Sequence, residues 1–127
     1  MQFRLRTSAK TANILKDLQA RTKLTPNVLA RLAISLSLLD PSSVDDLEAD
    51  NQVGFEINRQ TLTGSYDVVY KVLISQHAGR ALTDDEYFPD HIKKHMDRGV
   101  LKLKNHYDYA GNTEEFLVSL ATLDPKS

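Results

Sequence analysis

The run "NVLARLAISLSLL", residues 27–39, is apolar on nearly every side when wound as an α-helix. Such a helix has to be buried, so this stretch constrains the fold more than any other. Thr25 followed by Pro26 marks its start: a cap, then the residue that gives up no needed N–H at the first helical position. It stops near Asp40–Pro41, because proline biases the residue before it out of the α region. Only Asn27, Arg31 and Ser35, at i, i+4 and i+8, form a polar line. With 127 residues, 41% of them apolar and 26% charged, the chain has material for one domain around one core.

The flanking segments read as follows. "QFRLRTS", Gln2–Ser8, alternates apolar Phe3 and Leu5 with Gln2, Arg4 and Arg6. A period of two predicts a short strand with Phe3 and Leu5 on its buried face and both arginines on the outer one. Ser8 or Thr7 caps a helix over 9–22, with Ile14, Leu15 and Leu18 on one side, Lys16 pointing away, and Lys10 and Arg21 at the border. Residues 40–53 form an acidic, turn-rich loop expected to be mobile. "GFEIN" alternates again and predicts a second strand, with Phe55 and Ile57 on one side. The next helix, ended by Gly79, places Tyr66, Val69, Tyr70 and Leu73 on its buried stripe. Thr83 and Glu86 form a capping box for a helix carrying Phe88, Ile92, Met96, Val100 and Leu103 to about residue 106, kinked at Pro89. Asn112 or Thr113 caps a last helix with Phe116, Leu117, Leu120 and Leu123, after which the tail frays.

The expected fold is mainly α: a single domain over 1–127 of about five helices and two short strands. It divides into a strand–helix–helix segment (1–39), the acidic loop (40–53) and a helical remainder (54–123). A lone strand does not stand unpaired in water. The first strand pairs either with its copy in a second chain or with "GFEIN" in its own, and the sequence leaves both, and homo-oligomerisation with them, open.

The net charge of −1 conceals an uneven distribution. Residues 1–31 hold seven lysines and arginines against Asp17 alone, and residues 32–70 hold seven carboxylates against Arg59 alone. This asymmetry points to a basic binding face and an acidic remainder. No apolar run is long enough for a membrane span and no hydrophobic leader is visible; a cytoplasmic location is the default expectation. Cysteine is absent, which removes disulfides, thiol nucleophiles and thiolate metal ligands together.

Other candidates weigh less. His91 and His95, at i, i+4, have a spacing that can hold a metal, but no carboxylate completes the pattern and Lys93, Lys94 and Lys102 would repel a cation, so surface histidines are expected. Lys93, Lys94, Arg98, Lys102 and Lys104 read equally as a second basic patch or as a solvated face salted by Asp90 and Asp97. Asp84, Asp85 and Glu86 could bind Mg²⁺ for a nickase, yet capping and the helix dipole explain them with no extra assumption. The tyrosines Tyr66, Tyr70, Tyr107 and Tyr109 are expected in the core and at its rim. No metal and no cofactor is expected.

The order strand, helix, break, helix over residues 2–39 resembles the ribbon-helix-helix family of DNA-binding proteins. In that family two strands enter the major groove and their outer face reads base edges. The resemblance implies that Gln2, Arg4 and Arg6 form that face, and arginine suits a bidentate contact with guanine. It also implies a phosphate contact at the start of the second helix, by Thr25, Asn27 and Lys23. As a whole the chain resembles the DndE family of bacterial DNA phosphorothioation proteins. Three stretches carry this: "RLRTSAKTANILKDLQARTKLTPNVLARLAISLSL", "INRQTLTGSYDVVYKVLISQH" and "DDEYFPDHIKKHMDRGVLKL", with T-x-N-x-L-x-R-L-A followed downstream by N-R-x-T-L-T-G. The resemblance implies a non-catalytic accessory protein that binds double-stranded DNA, intact or nicked. By position, Lys10, Lys16, Arg21, Lys23 and Arg31 are the residues that would serve. It also implies a cysteine desulfurase, an iron–sulfur protein and an ATPase as partners; the acidic segment 40–50 could dock a protein, but it reads first as a solvated loop. The absence of cysteine agrees, since the chain cannot carry a persulfide or hold an iron–sulfur cluster through thiolates. The rival readings are a ribbon-helix-helix repressor or antitoxin and a metal-dependent nickase.

Overall fold

The structure, a computed structural model, describes residues 1–47 and 53–122. Its elements are β1 (Arg4–Arg6), α1 (Ala9–Thr22), α2 (Pro26–Leu39), β2 (Glu56–Asn58), α3 (Arg59–Leu62), α4 (Asp67–Ala78), α5 (Ile92–Ala110) and α6 (Thr113–Ala121). A 3₁₀ turn (Gly64–Tyr66) leads into α4 and a π-helical turn (Glu86–His91) into α5. The mainly α reading holds, with one helix more than expected because α3 is a single turn between β2 and the 3₁₀ turn.

α2 lies at the centre, as its composition demands. Leu29, Ala30, Ala33 and Ile34 are fully buried, while Ser35 of the polar line is exposed. Thr25 caps its start, accepting from the Val28 N–H, with Pro26 in the first turn. α5 crosses α2 so closely that a Cβ on Gly99 would overlap the Ala33 carbonyl. Ile92, Met96, Val100 and Leu103 complete the core from the α5 side, each contributing about 2 kcal/mol by leaving water. α1 adds Leu15 and Leu18, and Ser8 caps it by accepting from the Thr11 N–H. Thr83 and Glu86 form the expected reciprocal capping box. The kink at Pro89 is present as well: Phe88 leaves helical backbone (φ −128°, ψ 121°) and the Phe88–Pro89 bond is cis.

β1 pairs antiparallel with β2 of the same chain, in the register Arg4↔Asn58, Leu5↔Ile57, Arg6↔Glu56. The ribbon that ribbon-helix-helix proteins build from two chains is built here from one. Leu5 and Ile57 face the core together. Phe3 does not: it is 62% exposed, because it lies before the strand and contributes only its carbonyl, to the Arg59 N–H.

α4 departs furthest from expectation. Tyr66, Val69 and Leu73 are exposed, Tyr70 is half-buried, and the fully buried residue is Ile74. The 3₁₀ turn delays the helix to Asp67 and rotates its stripe, so α4 touches the core along one narrow edge. Tyr109, expected at the core rim, is 95% exposed, and Leu117 of α6 is exposed beside buried Phe116. Leu123 and the tail lie outside the described residues.

The loop expected to be mobile is fastened over 40–47. Val44 is buried. Arg98 donates to the Ser37 and Ser42 carbonyls, Lys102 pairs with Asp40 at 3.2 Å, and His91 meets Asp45 at 2.9 Å. An acidic segment lying on the basic side of α5 costs little to hold. Residues 48–52, where the acidic segment continues, lie outside the described residues. Among the described residues, no helix is long and apolar enough to cross a membrane.

Candidate nucleic-acid interface

The register of the ribbon turns Arg4 and Arg6 outward beside Glu56 and Asn58. Their side chains are 68% and 48% exposed. Both reach Glu56, but at 3.7 and 4.0 Å, the outer limit of an ion pair. Arg6 also donates to the Gly54 carbonyl at 2.9 Å. Pairs this long and this exposed hold little energy, so both guanidiniums remain open to an incoming anion.

The basic residues of α1 divide. At 100° per residue Lys10 and Arg21 lie about 20° apart around the helix, and Lys16 lies about 120° from Lys10. Asp17 stands between the first two and binds Arg21 Nε at 3.1 Å. Lys16 leans toward β2, its Nζ 5.9 Å from the Phe55 ring centre. Lys23 takes a left-handed backbone (φ 64°) at the α1 C-cap. Lys10, Lys16 and Lys23 are exposed, and among the described residues no carboxylate pairs with them. Thr25 and half-buried Asn27 sit at the first turn of α2, with Thr25 occupied as its cap. Arg31 is drawn inward: its Nη1 donates to the Thr61 and Leu62 carbonyls at 3.1 Å each, joining α2 to α3. The structure therefore brings Arg4 and Arg6 together, puts Lys10 and Arg21 on one face of α1 but about three turns apart along it, and leaves Lys16, Lys23 and Arg31 apart.

The second basic patch is occupied by contacts within the chain. Lys93 pairs with Asp97, Lys94 with Asp90, Arg98 and Lys102 with Asp40, and Lys104 with Asp108. His91 and His95 are not on the surface; both are buried. His91 lies between the Glu86 carbonyl and Asp45, and its hydrogen bond is the main reason Asp45 is lowered to about 2. Burial, followed by the charges of His77 and Arg98, lowers His95 to about 3. Its Nδ1 is 2.8 Å from Ser37 Oγ, and among the described residues its buried Nε2 has no hydrogen-bond partner.

Of the acidic trio, Asp84 is taken by Arg59 and Glu86 by the capping box. Arg59 is the residue that composition alone hides. Its side chain is 7% exposed and binds Asp67 at 2.7 Å and Asp84 at 2.8 Å. It also donates to the Gln2 carbonyl at 3.0 Å and stacks on Tyr87 and Phe88 at 5.3 and 4.9 Å. Asp84 first, then Asp67, push its pKa up. Burial would raise the Asp67 carboxyl, but hydrogen bonds from Arg59, Thr63 and Tyr87 bring it below its ordinary value. Burial holds the Tyr87 hydroxyl protonated. This cluster ties the N-terminus, α3, α4 and the π-helical turn into one unit. The N-R-x-T-L-T-G motif carries its signal: Thr63, four residues after Arg59, donates to both the Arg59 carbonyl and Asp67.

Solved structures share this architecture. DndE from Escherichia coli B7A, described as involved in DNA phosphorothioation modification, superposes with a TM-score of 0.65 at 20% identity, over 79% of this chain and 96% of that one. A glycine-to-lysine mutant of DndE, described as involved in DNA phosphorothioation, gives 0.64 at 21% identity, over 80% and 97%. At these identities the likeness establishes the fold. No curated protein sequence matches the chain. The family model for the DNA sulphur modification protein DndE matches residues 4–110, from the first strand to the last residue of α5, and on that match the chain belongs to the DndE family, whose context is DNA phosphorothioation.

Proposed function

We propose that this protein is a non-catalytic, DNA-binding component of the phosphorothioation machinery. It holds duplex DNA, intact or nicked, while partner proteins (a cysteine desulfurase, an iron–sulfur protein and an ATPase) carry out the sulfur chemistry. The observation that carries the reading is the outer face of the ribbon. Two neighbouring arginines stand there on a two-stranded element, exposed and loosely held by Glu56, with Arg6 also donating to the Gly54 carbonyl. Arginine so placed makes paired, charge-assisted contacts to phosphate oxygens and base edges. Exposed Lys10, Lys16 and Lys23 add positive charge on the same N-terminal segment. The chain's lack of cysteine supports the non-catalytic part, because persulfide transfer needs a thiolate.

Fluorescence anisotropy with a nicked duplex, repeated across salt concentrations, tests this. The log–log slope is expected near −0.9 per phosphate contact. The double change Arg4→Ala with Arg6→Ala should flatten it by about 1.8, two contacts' worth. Absence of binding, or binding indifferent to salt, overturns the proposal. Unchanged affinity in the double variant removes the ribbon as the contact face.

A further inference from the structure

A groove of about 420 Å³ runs between the ribbon and the Pro89 turn. Arg4, Arg6 and Glu56 line one wall, and Pro89, Asp90 and Lys93 the other. Among the described residues, three cations thus face two carboxylates. Asp90 is engaged on its own side, by Lys94 at 3.8 Å and His91 at 3.6 Å. Lys93 is held in place by burial and by Asp97 at 3.7 Å. Among the described residues Glu56 is the one carboxylate on the ribbon wall, and it approaches both arginines without a close contact to either.

The contrast with Arg59 shows what is missing. Where an arginine of this chain is fully matched, its carboxylates come to 2.7 and 2.8 Å. A phosphate group, with more acceptor oxygens than a carboxylate, can accept from two guanidiniums at such distances. We propose that this groove is a seat for a phosphate group and that Glu56 is its built-in competitor, displaced when phosphate enters between Arg4 and Arg6. Seating a backbone phosphate of DNA there rests on the DNA-binding reading; seating a free phosphate does not. Glu56 then serves as a brake: its charge weakens a bare electrostatic grip and must be outcompeted by a well-placed phosphate.

Two arms test this on the full chain. In the first, inorganic phosphate is titrated against chloride at matched ionic strength while backbone amide NMR shifts are followed. Shifts confined to Arg4, Arg6, Glu56 and Lys93 are expected. In the second, anisotropy with a nicked duplex compares the wild type with Glu56→Gln and Arg4→Gln. Both substitutions are on the exposed ribbon face, so folding is not at stake. Glu56→Gln should tighten binding about threefold, the scale of one surface ion pair, and steepen the salt slope by about 0.9; Arg4→Gln should do the reverse. If DNA binds but Glu56→Gln alters neither affinity nor slope, the seat is wrong and the DNA-binding reading stands. If phosphate shifts the groove while DNA fails to bind, the seat stands and that reading falls. If neither ligand registers, both are overturned.

Discussion

Arg4 and Arg59 stand at one end of the ribbon, Arg4 opposite Asn58 and Arg59 one residue beyond it, at the start of α3. Arg4 points to solvent with Glu56 at 3.7 Å. Arg59 points inward to two carboxylates, a backbone carbonyl and two aromatic faces. The side chain is the same; the number of acceptors waiting for it is not. A buried guanidinium survives only when its hydrogen bonds are met, and this fold meets those of Arg59 by converging the N-terminus, α3, α4 and the π-helical turn on it. The ribbon's outer face offers its arginines little of that kind. The charges that build this molecule and the charges available to a ligand are therefore separated by the width of one strand.

The largest test of that separation is Arg59→Met. It removes the cation that holds Asp67 and Asp84 together, leaving, among the described residues, Asp67 only the hydroxyls of Thr63 and Tyr87 and Asp84 only Lys71 at 3.9 Å. The expected cost is about 4 kcal/mol, the scale for breaking a buried pair from one side, read as a lowered midpoint in urea unfolding. Arg4→Ala in the same assay should stay within about 0.5 kcal/mol of wild type, as exposed substitutions do. Equal losses for the two variants would erase the distinction.

Protons distinguish the two regions next. Burial lowers His95 to about 3 from the 6.5 of an unfolded chain. The unfolded state then binds a proton that the folded state refuses. The stability tied to His95 is complete above pH 6.5 and is lost as pH falls toward 3, at up to about 1.4 kcal/mol per unit. Unfolding at pH 7 and pH 5 should differ by about 2 kcal/mol from this group, and His95→Gln should flatten the difference. Stability equal at both values in the wild type would mean that Ser37, His77 and Arg98 accommodate an imidazolium.

What the sequence revealed follows the same line. Caps, breaks and apolar stripes were legible wherever one local period dominates: Ser8, Thr25, the Thr83–Glu86 box and the run Ile92–Met96–Val100–Leu103 all stand where they were expected. α4 was misread because its phase is set by a 3₁₀ turn that leaves no mark on hydrophobic spacing. The histidines were misplaced because their partners lie 46 residues away for His91 and 58 for His95. The outward face of Arg4 and Arg6 was visible in a period of two, but Glu56 as their neighbour required the register. Arg59 was only one charge among many until Asp67 and Asp84 were seen to converge on it. Periodicity reports which side of an element is buried; it does not report what is waiting on the other side.

The smallest expected effect falls on a residue with a place in both regions. Lys23 closes α1 with a left-handed backbone and is exposed at the edge of the basic segment. A non-glycine residue pays for that conformation, and glycine is the ordinary occupant of such a cap. Lys23→Gly should therefore stabilise the fold by about 0.5–1 kcal/mol, the left-handed penalty relieved less the backbone entropy that glycine loses. If Lys23 also meets a phosphate, the same variant should flatten the salt dependence of DNA binding by about 0.9. Higher stability with weaker, less salt-sensitive binding would place Lys23 with Arg4, as a charge kept for a ligand at a cost to the fold. Higher stability with binding unchanged would leave it a strained cap and draw the contact face in toward the ribbon alone.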